Sequence, residues 1–149
     1  MSNIQPSEGS FLTPSLEKAT VSDAMRVGVM SCPSDATATV VARMMGTHHI
    51  HSVIVEDVHT DPVRGEQLRW SLISDMDLMR AATTGIDELT AGDIALTEPI
   101  TVDPSTALTE AVQLMTEHDL THLIVVEGGR PTGVLSTLDI AGVLAWGRG

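Results

Sequence analysis

The sequence predicts an α/β fold of two tandem repeats, each running helix, strand, strand, helix, packed about a pseudo-two-fold axis. Three observations predict it. Residues Pro33 to Glu56 align without a gap on Pro104 to Glu127, with eight identities in 24 positions: Pro33/Pro104, Ser34/Ser105, Ala36/Ala107, Val41/Val112, Met44/Met115, His51/His122, Val55/Val126 and Glu56/Glu127. Further on, Ser71-Leu72-Ile73-Ser74-Asp75-Met76-Asp77 answers Gly133-Val134-Leu135-Ser136-Thr137-Leu138-Asp139, after an insertion of nine residues in the first copy. In both copies a helical apolar spacing gives way to a short continuous apolar run. A long period with only two copies implies two similar units, with the crevice between them as the natural place for a ligand. The divisions read from the sequence are an N-terminal arm over 1–19, a first repeat over 20–85 and a second over 86–149.

The arm, from Met1 to about Lys18, mixes Pro6, Gly9 and Pro14 with polar residues. It reads as loosely held, docking through Phe11 and Leu12. Each repeat opens on a short phrase, Val21-Ser22-Asp23-Ala24-Met25 and Ala91-Gly92-Asp93-Ile94. Ala36, Val40, Val41, Met44 and Met45 then share one helix face, matched by Leu108, Ala111, Val112 and Met115. Pro33-Ser34 and Pro104-Ser105 stand where a fixed backbone angle and a hydroxyl cap favour a helix start.

Ser52-Val53-Ile54-Val55 and Leu123-Ile124-Val125-Val126 are too continuously apolar for half-exposed strands, so buried strands are expected. Gly128-Gly129 turns the second into a hairpin partner over Thr132 to Leu135, while the first copy passes through a polar connection, Asp57 to Gln67, before Leu68 to Ile73. Closing helices run from Asp75 to about Thr83 and from Thr137 to about Trp146, with Gly85 and Gly147 at their stops.

The closing phrase has two readings. A helix mouth offers unpaired N–H groups and a positive dipole end for a phosphate, with Ser136 or Thr137 adding a hydroxyl, and an ionised Asp139 can accept both hydroxyls of a ribose. Ser74, Asp75 and Asp77 repeat the arrangement, with Asp75 adding a carboxylate that weakens anion binding there. The same spacing is also that of a capping box, and the two roles can coexist.

Composition excludes several function classes. Twenty acidic against eight basic residues give a net charge of −12, which repels nucleic-acid phosphates and anionic membranes. Hydrophobic residues make up 42 % of the chain, enough for one core, yet no apolar run approaches the roughly 18 residues of a membrane span. One cysteine, Cys32, forms no disulfide framework, and the expected location is the cytoplasm. His49 and His51 would share one side of an extended segment, with His48 adjacent, so a small metal-binding protein is an alternative. The methionines fall on the apolar helix faces and read as core. No catalytic motif appears, and no enzyme activity is expected.

From about Val21 to Ala145 the chain resembles a pair of cystathionine β-synthase (CBS) domains, the so-called Bateman module. The residues that carry the resemblance are Val21-Ser22-Asp23-Ala24-Met25, Pro33-Ser34-Asp35-Ala36-Thr37, His122-Leu123-Ile124-Val125-Val126 and Gly133-Val134-Leu135-Ser136-Thr137-Leu138-Asp139. The resemblance implies a regulatory sensor that binds adenine nucleotides or related adenosyl ligands between the repeats, without catalysis or an obligatory cofactor. It implies a homodimer acting on an effector protein that the sequence does not identify. It also implies Asp139 as ribose ligand, Ser136 and Thr137 as phosphate ligands, Ile100, Thr101 and Val102 as the wall facing the base, and Thr121, His122 and Leu123 completing the pocket. The first pocket would use Asp77, Ser74, Val29, Met30, Ser31 and the stretch from His49 through His51 to Ser52. The scarcity of cations, with Arg26, Arg43, Arg69 and Arg130 the nearest candidates, favours AMP, another adenosyl compound or a metal-chelated nucleotide over free ATP. A ligand-free structural or protein-interaction module is the other alternative.

Overall fold

The computed structural model describes residues 14–95 and 99–147. In chain order they form α1 (Val21–Ala24), β1 (Arg26–Val27), β2 (Ser31–Pro33), α2 (Ala38–His48), β3 (Ser52–Asp61), β4 (Gly65–Ser74) and α3 (Asp75–Ala82). These are followed by α4 (Ala91–Ile94), β5 (Thr101–Val102), α5 (Leu108–Glu117), β6 (His122–Glu127), β7 (Arg130–Ser136) and α6 (Thr137–Trp146). The expected docking of Phe11 and Leu12 lies outside the described residues.

The chain packs as two compact units, one from Val29 to Pro99 and the other from the segments on either side of it. The opening phrases are therefore exchanged relative to the sequence repeat. α4, which opens the second copy, packs with α2 and α3 of the first, while α1 packs with α5 and α6 of the second.

In the unit from Val29 to Pro99 the sheet order is β2-β3-β4, with β2 parallel to β3 and β3 antiparallel to β4. Ala38, Val41 and Met45 of α2 recur at helical spacing and are buried against Val53, Val55 and Ile73 of the sheet, with Ala91 and Ile94 of α4 closing the cluster. Val53 to Val55 are each 1 % exposed, which confirms the continuous apolar run as a buried strand. Each such side chain taken from water contributes about 1.5–3 kcal/mol.

The other unit repeats the scheme with one more strand, in the order β1-β7-β6-β5. Leu108, Ala111 and Met115 of α5 pack on Leu123, Val125 and Leu135, joined by Ala19, Val21 and Val143. Gly128 and Gly129 take positive φ angles of 61° and 76° in the β6–β7 turn, a conformation that costs glycine little. Gly133 has a different task. A Cβ there would lie 2.3 Å from the Arg26 carbonyl oxygen, so its missing side chain admits β1 alongside β7, where Val27 pairs with Gly133.

Three expectations are corrected. The polar connection Asp57 to Gln67 is mostly strand: β3 and β4 pair without interruption from Ser52↔Ser74 to Asp61↔Gly65. Backbone N–H and C=O groups complete a ladder whether or not the side chains are apolar, and Asp61 Oδ1 closes the end by accepting the N–H groups of Val63 and Arg64 at 2.7 and 2.9 Å. Second, Pro33 ends β2 instead of starting a helix; the cap of α2 is Thr37, whose Oγ1 accepts the Val40 N–H at 3.2 Å. In the second copy Ser105 is spent on Asp103, donating its hydroxyl at 2.7 Å, and Ala107 occupies the cap position without a side-chain bond. Third, His49 is not extended. It is the left-handed C-cap of α2, with φ 52°, so it shares no extended face with His51.

Candidate functional site

Parallel pairing places the starts of β5 and β6 at one end of their sheet, and antiparallel pairing brings the end of β7 to the same place. His122 lies directly opposite Ser136, the Thr137 N–H donates to the Thr121 carbonyl at 3.1 Å, and the Ile124 N–H donates to the Ile100 carbonyl at 3.4 Å. Ile100, Thr101, Thr121, His122, Ser136, Thr137 and Asp139 therefore gather where α6 begins. Leu123 and Val102, expected among them, are 1 % and 7 % exposed and belong to the core. Strand alternation turns the side chains of the residue after His122 and of the residue after Thr101 inward, which leaves their backbone as the part nearest the strand starts.

The first copy is built alike. Ser52 pairs with Ser74, the Asp75 N–H donates to the His51 carbonyl at 2.9 Å, and the Ile54 N–H donates to the Met30 carbonyl at 2.9 Å. Val29, Met30, Ser31, His51, Ser74 and Asp77 thus share one sheet end, with Val29 and Met30 exposed.

At both helix mouths the capping box is formed. Asp139 Oδ2 accepts the Ser136 N–H at 2.8 Å and its hydroxyl at 3.0 Å, while Ser136 Oγ accepts the Asp139 N–H at 3.3 Å. Asp77 and Ser74 make the same three bonds at 2.9, 3.0 and 3.2 Å. Ser74, 7 % exposed, has its hydroxyl satisfied in this way. The second oxygens differ. Asp77 Oδ1 faces the Arg80 guanidinium at 3.5 Å, an ion pair that the sequence reading missed although a three-residue helical spacing could have revealed it. Among the described residues nothing bonds Asp139 Oδ1, and Gly142 stands where Arg80 does in the first copy.

The two histidines at the strand starts also differ. His51 Nδ1 lies 2.9 Å from Asp75 Oδ2, whereas His122 Nδ1 lies 2.9 Å from the Thr121 hydroxyl. Among the described residues no group of three or more His, Cys, Asp or Glu side chains is placed to hold a metal ion. Nor does any helix among them have the length and apolarity to cross a membrane.

The unit from Val29 to Pro99 contains a cavity of about 390 Å³ that the sequence did not suggest. It runs along α3, past Asp77, Arg80, Ala81 and Thr84, toward Asp93 and Ile94 of α4. Of the first-copy residues expected from the sequence, only Asp77 lines it.

Known proteins resemble the chain in sequence and fold. The CBS domain family matches residues 91–145. Hypoxic response protein 1 of Mycobacterium tuberculosis is 27 % identical over 126 residues, 82 % of each chain. A crystal structure of Hypoxic Response Protein I with two coordinated zinc ions superposes with TM-score 0.64 at 26 % identity, covering 83 % of this chain and 97 % of that one. A CBS domain protein from Pyrobaculum aerophilum complexed with AMP superposes with TM-score 0.68 at 25 % identity, covering 85 % and 98 %.

Proposed function

From its membership of the CBS-domain family, as a tandem pair of such domains, we propose that the chain is a regulatory sensor whose ligand is AMP or a related adenosyl compound. The observation that carries the reading is the helix mouth of α6. There Asp139 holds its cap with Oδ2 alone and keeps Oδ1 as an acceptor for ribose hydroxyls. Thr137 supplies a hydroxyl and a positive helix end for a phosphate, with Thr121 and His122 beside it. The AMP complex of the Pyrobaculum aerophilum protein supports the choice of ligand. With a chain charge of −12, one phosphate is favoured over free ATP.

In this reading the protein does no chemistry. Ligand changes the balance between conformations and so the activity of a protein partner. Assembly as a homodimer fits the apolar side chains that the closing helices expose, Met76 and Met79 on α3, and Leu138, Leu144 and Trp146 on α6. The metal-binding alternative draws on the Hypoxic Response Protein I structure with two coordinated zinc ions; among the described residues of this chain no group of three or more His, Cys, Asp or Glu side chains is placed to hold such an ion.

Calorimetric titration tests the proposal. AMP should bind the native chain, bind more tightly than magnesium-free ATP, and fail to bind Asp139→Ala. Unchanged AMP affinity in a folded Asp139→Ala chain rejects the ribose assignment, and ATP binding far tighter than AMP without magnesium rejects the ligand preference.

A further inference from the structure

β3 and β4 run on as a two-stranded ribbon past the point where β2 stops. β2 ends at Pro33, opposite Glu56, whereas β3 continues through Asp57, Val58, His59 and Thr60 to Asp61, paired among the described residues only with β4. The second copy has no such extension, because β6 ends at Glu127 and Gly128-Gly129 turns the chain straight back.

Two strands alone are marginal in water and gain stability from a third strand or a covered face. Here one face carries the directly opposed pair Val58 and Leu68, 59 % and 51 % exposed, and Val63 at the tip is 92 % exposed. The outer edge of β3 is open too. The Ile54 N–H donates to the Met30 carbonyl and the Glu56 carbonyl accepts the Ser34 N–H, both at 2.9 Å, so the backbone groups of these alternate residues face β2. The two-residue period turns the N–H and C=O groups of Val58 and Thr60 to the same edge, beyond the reach of β2.

Charge selects the occupant. β3 carries Glu56, Asp57 and Asp61 and neither Lys nor Arg, while the arginines of the ribbon, Arg64 and Arg69, lie in the tip and on β4. The Asp61 carboxyl is held below the ordinary aspartate range by the N–H groups of Arg64 and Val63, so it stays charged near neutral pH. Carboxylates along an open edge discourage pairing with a second copy of a chain charged −12, and they favour a cationic strand.

We propose that the outer edge of β3, from Asp57 to Asp61, receives an extended segment of a protein partner in which basic residues alternate with apolar ones, added as a further strand. The backbone of that segment bonds to Val58 and Thr60. Its apolar side chains lie beside Val58 on the face shared with Leu68, and its basic side chains lie beside Asp57 and Asp61 on the other. This docking is independent of the helix mouths and of any adenosyl ligand.

Fluorescence anisotropy of the full chain with a labelled peptide of alternating lysine and valine tests the proposal. Two variants probe the edge: Thr60→Pro, which removes an outward N–H and spares the bonds to β4, and a chain in which Gly-Gly replaces residues 57–69, in imitation of the second copy. Thermal midpoints confirm that each is folded. The peptide should bind the native chain and lose about tenfold or more in affinity for both variants. A block peptide of the same composition, lysines first and valines after, should bind the native chain about tenfold or more weakly, and a peptide of alternating glutamate and valine should not bind. No binding to the native chain, affinity that either folded variant retains, or equal binding of the block peptide overturns strand addition at this edge. Self-association of the native chain that the Gly-Gly chain loses would assign the ribbon to a second copy and overturn the proposal as well.

Discussion

Asp139 and Ser136 hold each other reciprocally: the carboxylate Oδ2 accepts the serine N–H at 2.8 Å and its hydroxyl at 3.0 Å, and the serine oxygen accepts the aspartate N–H at 3.3 Å. Structural cap and candidate ribose ligand are thus one side chain used through different oxygens. Asp139→Ala removes both uses and should cost about 1 kcal/mol of stability. Asp139→Asn separates them, because its amide oxygen can still accept the cap N–H while its amino group meets ribose hydroxyls with a donor. Chemical denaturation and AMP titration of both variants provide the check. An alanine variant as stable as the native chain removes the cap from the argument, and an asparagine variant that binds AMP normally removes the ribose contact.

Gly133 and Gly142 should respond oppositely to alanine. A Cβ at Gly133 would press on the Arg26 carbonyl and lie 2.8 Å from Met25 Cε, so β1 must leave β7 or the hairpin must shift. Overpacking of this kind costs about 1–3 kcal/mol. At Gly142, inside α6, a Cβ meets nothing within 4 Å, and alanine should stabilise by up to about 1 kcal/mol through helix propensity alone. Urea midpoints of the two variants decide, and a neutral Gly133→Ala would mean that β1 is not closely seated.

The repeat, the helix faces and the buried strands were legible because each writes a period or an apolar run into the chain: Val41 with Met45, Leu108 with Met115, Val53 to Val55. The hairpin beyond Asp57 was hidden, since its stability comes from backbone pairing between polar residues that read as loop. β2 and β5 span only three and two residues and leave no period to detect. Asp77 and Asp139 stood out by recurrence. The cavity did not, because it needs α4 packed beside α3, and the exchange of opening segments between units is a tertiary event that no local pattern records.

Cys32 should react slowly in the native chain. It is 6 % exposed, and its thiol is pushed above the usual range first by burial and then by the neighbouring Glu56 carboxylate. Thiolate is the reactive species, so both effects suppress alkylation near pH 8. Iodoacetamide should label the native protein at a rate set by transient opening, far below the rate in urea, and Glu56→Gln should speed native labelling modestly. Equal native and denatured rates would show the thiol to be accessible.

Asp103 gives the chain an acid-sensitive contact at the start of the second repeat. Its carboxylate accepts the Ser105 hydroxyl at 2.7 Å and the Ser105 N–H at 2.8 Å, and these bonds, the hydroxyl first, hold its pKa below the ordinary aspartate range. A depressed folded-state pKa means that the unfolded chain takes up the proton first as pH falls. The stabilisation is therefore complete above the unfolded value, roughly 3.9, and is lost as pH drops through that value and then through the lower folded one. Asp103→Asn should lower the thermal midpoint at pH 7, with the gap to the native chain closing below about pH 4. Ser105→Ala should cost less in the Asp103→Asn background than in the native chain, because the neutral amide oxygen still accepts the Ser105 hydroxyl but without the charge that strengthens the bond. A midpoint difference that stays constant from pH 7 to pH 2 would assign the loss to packing, not to the charge on Asp103.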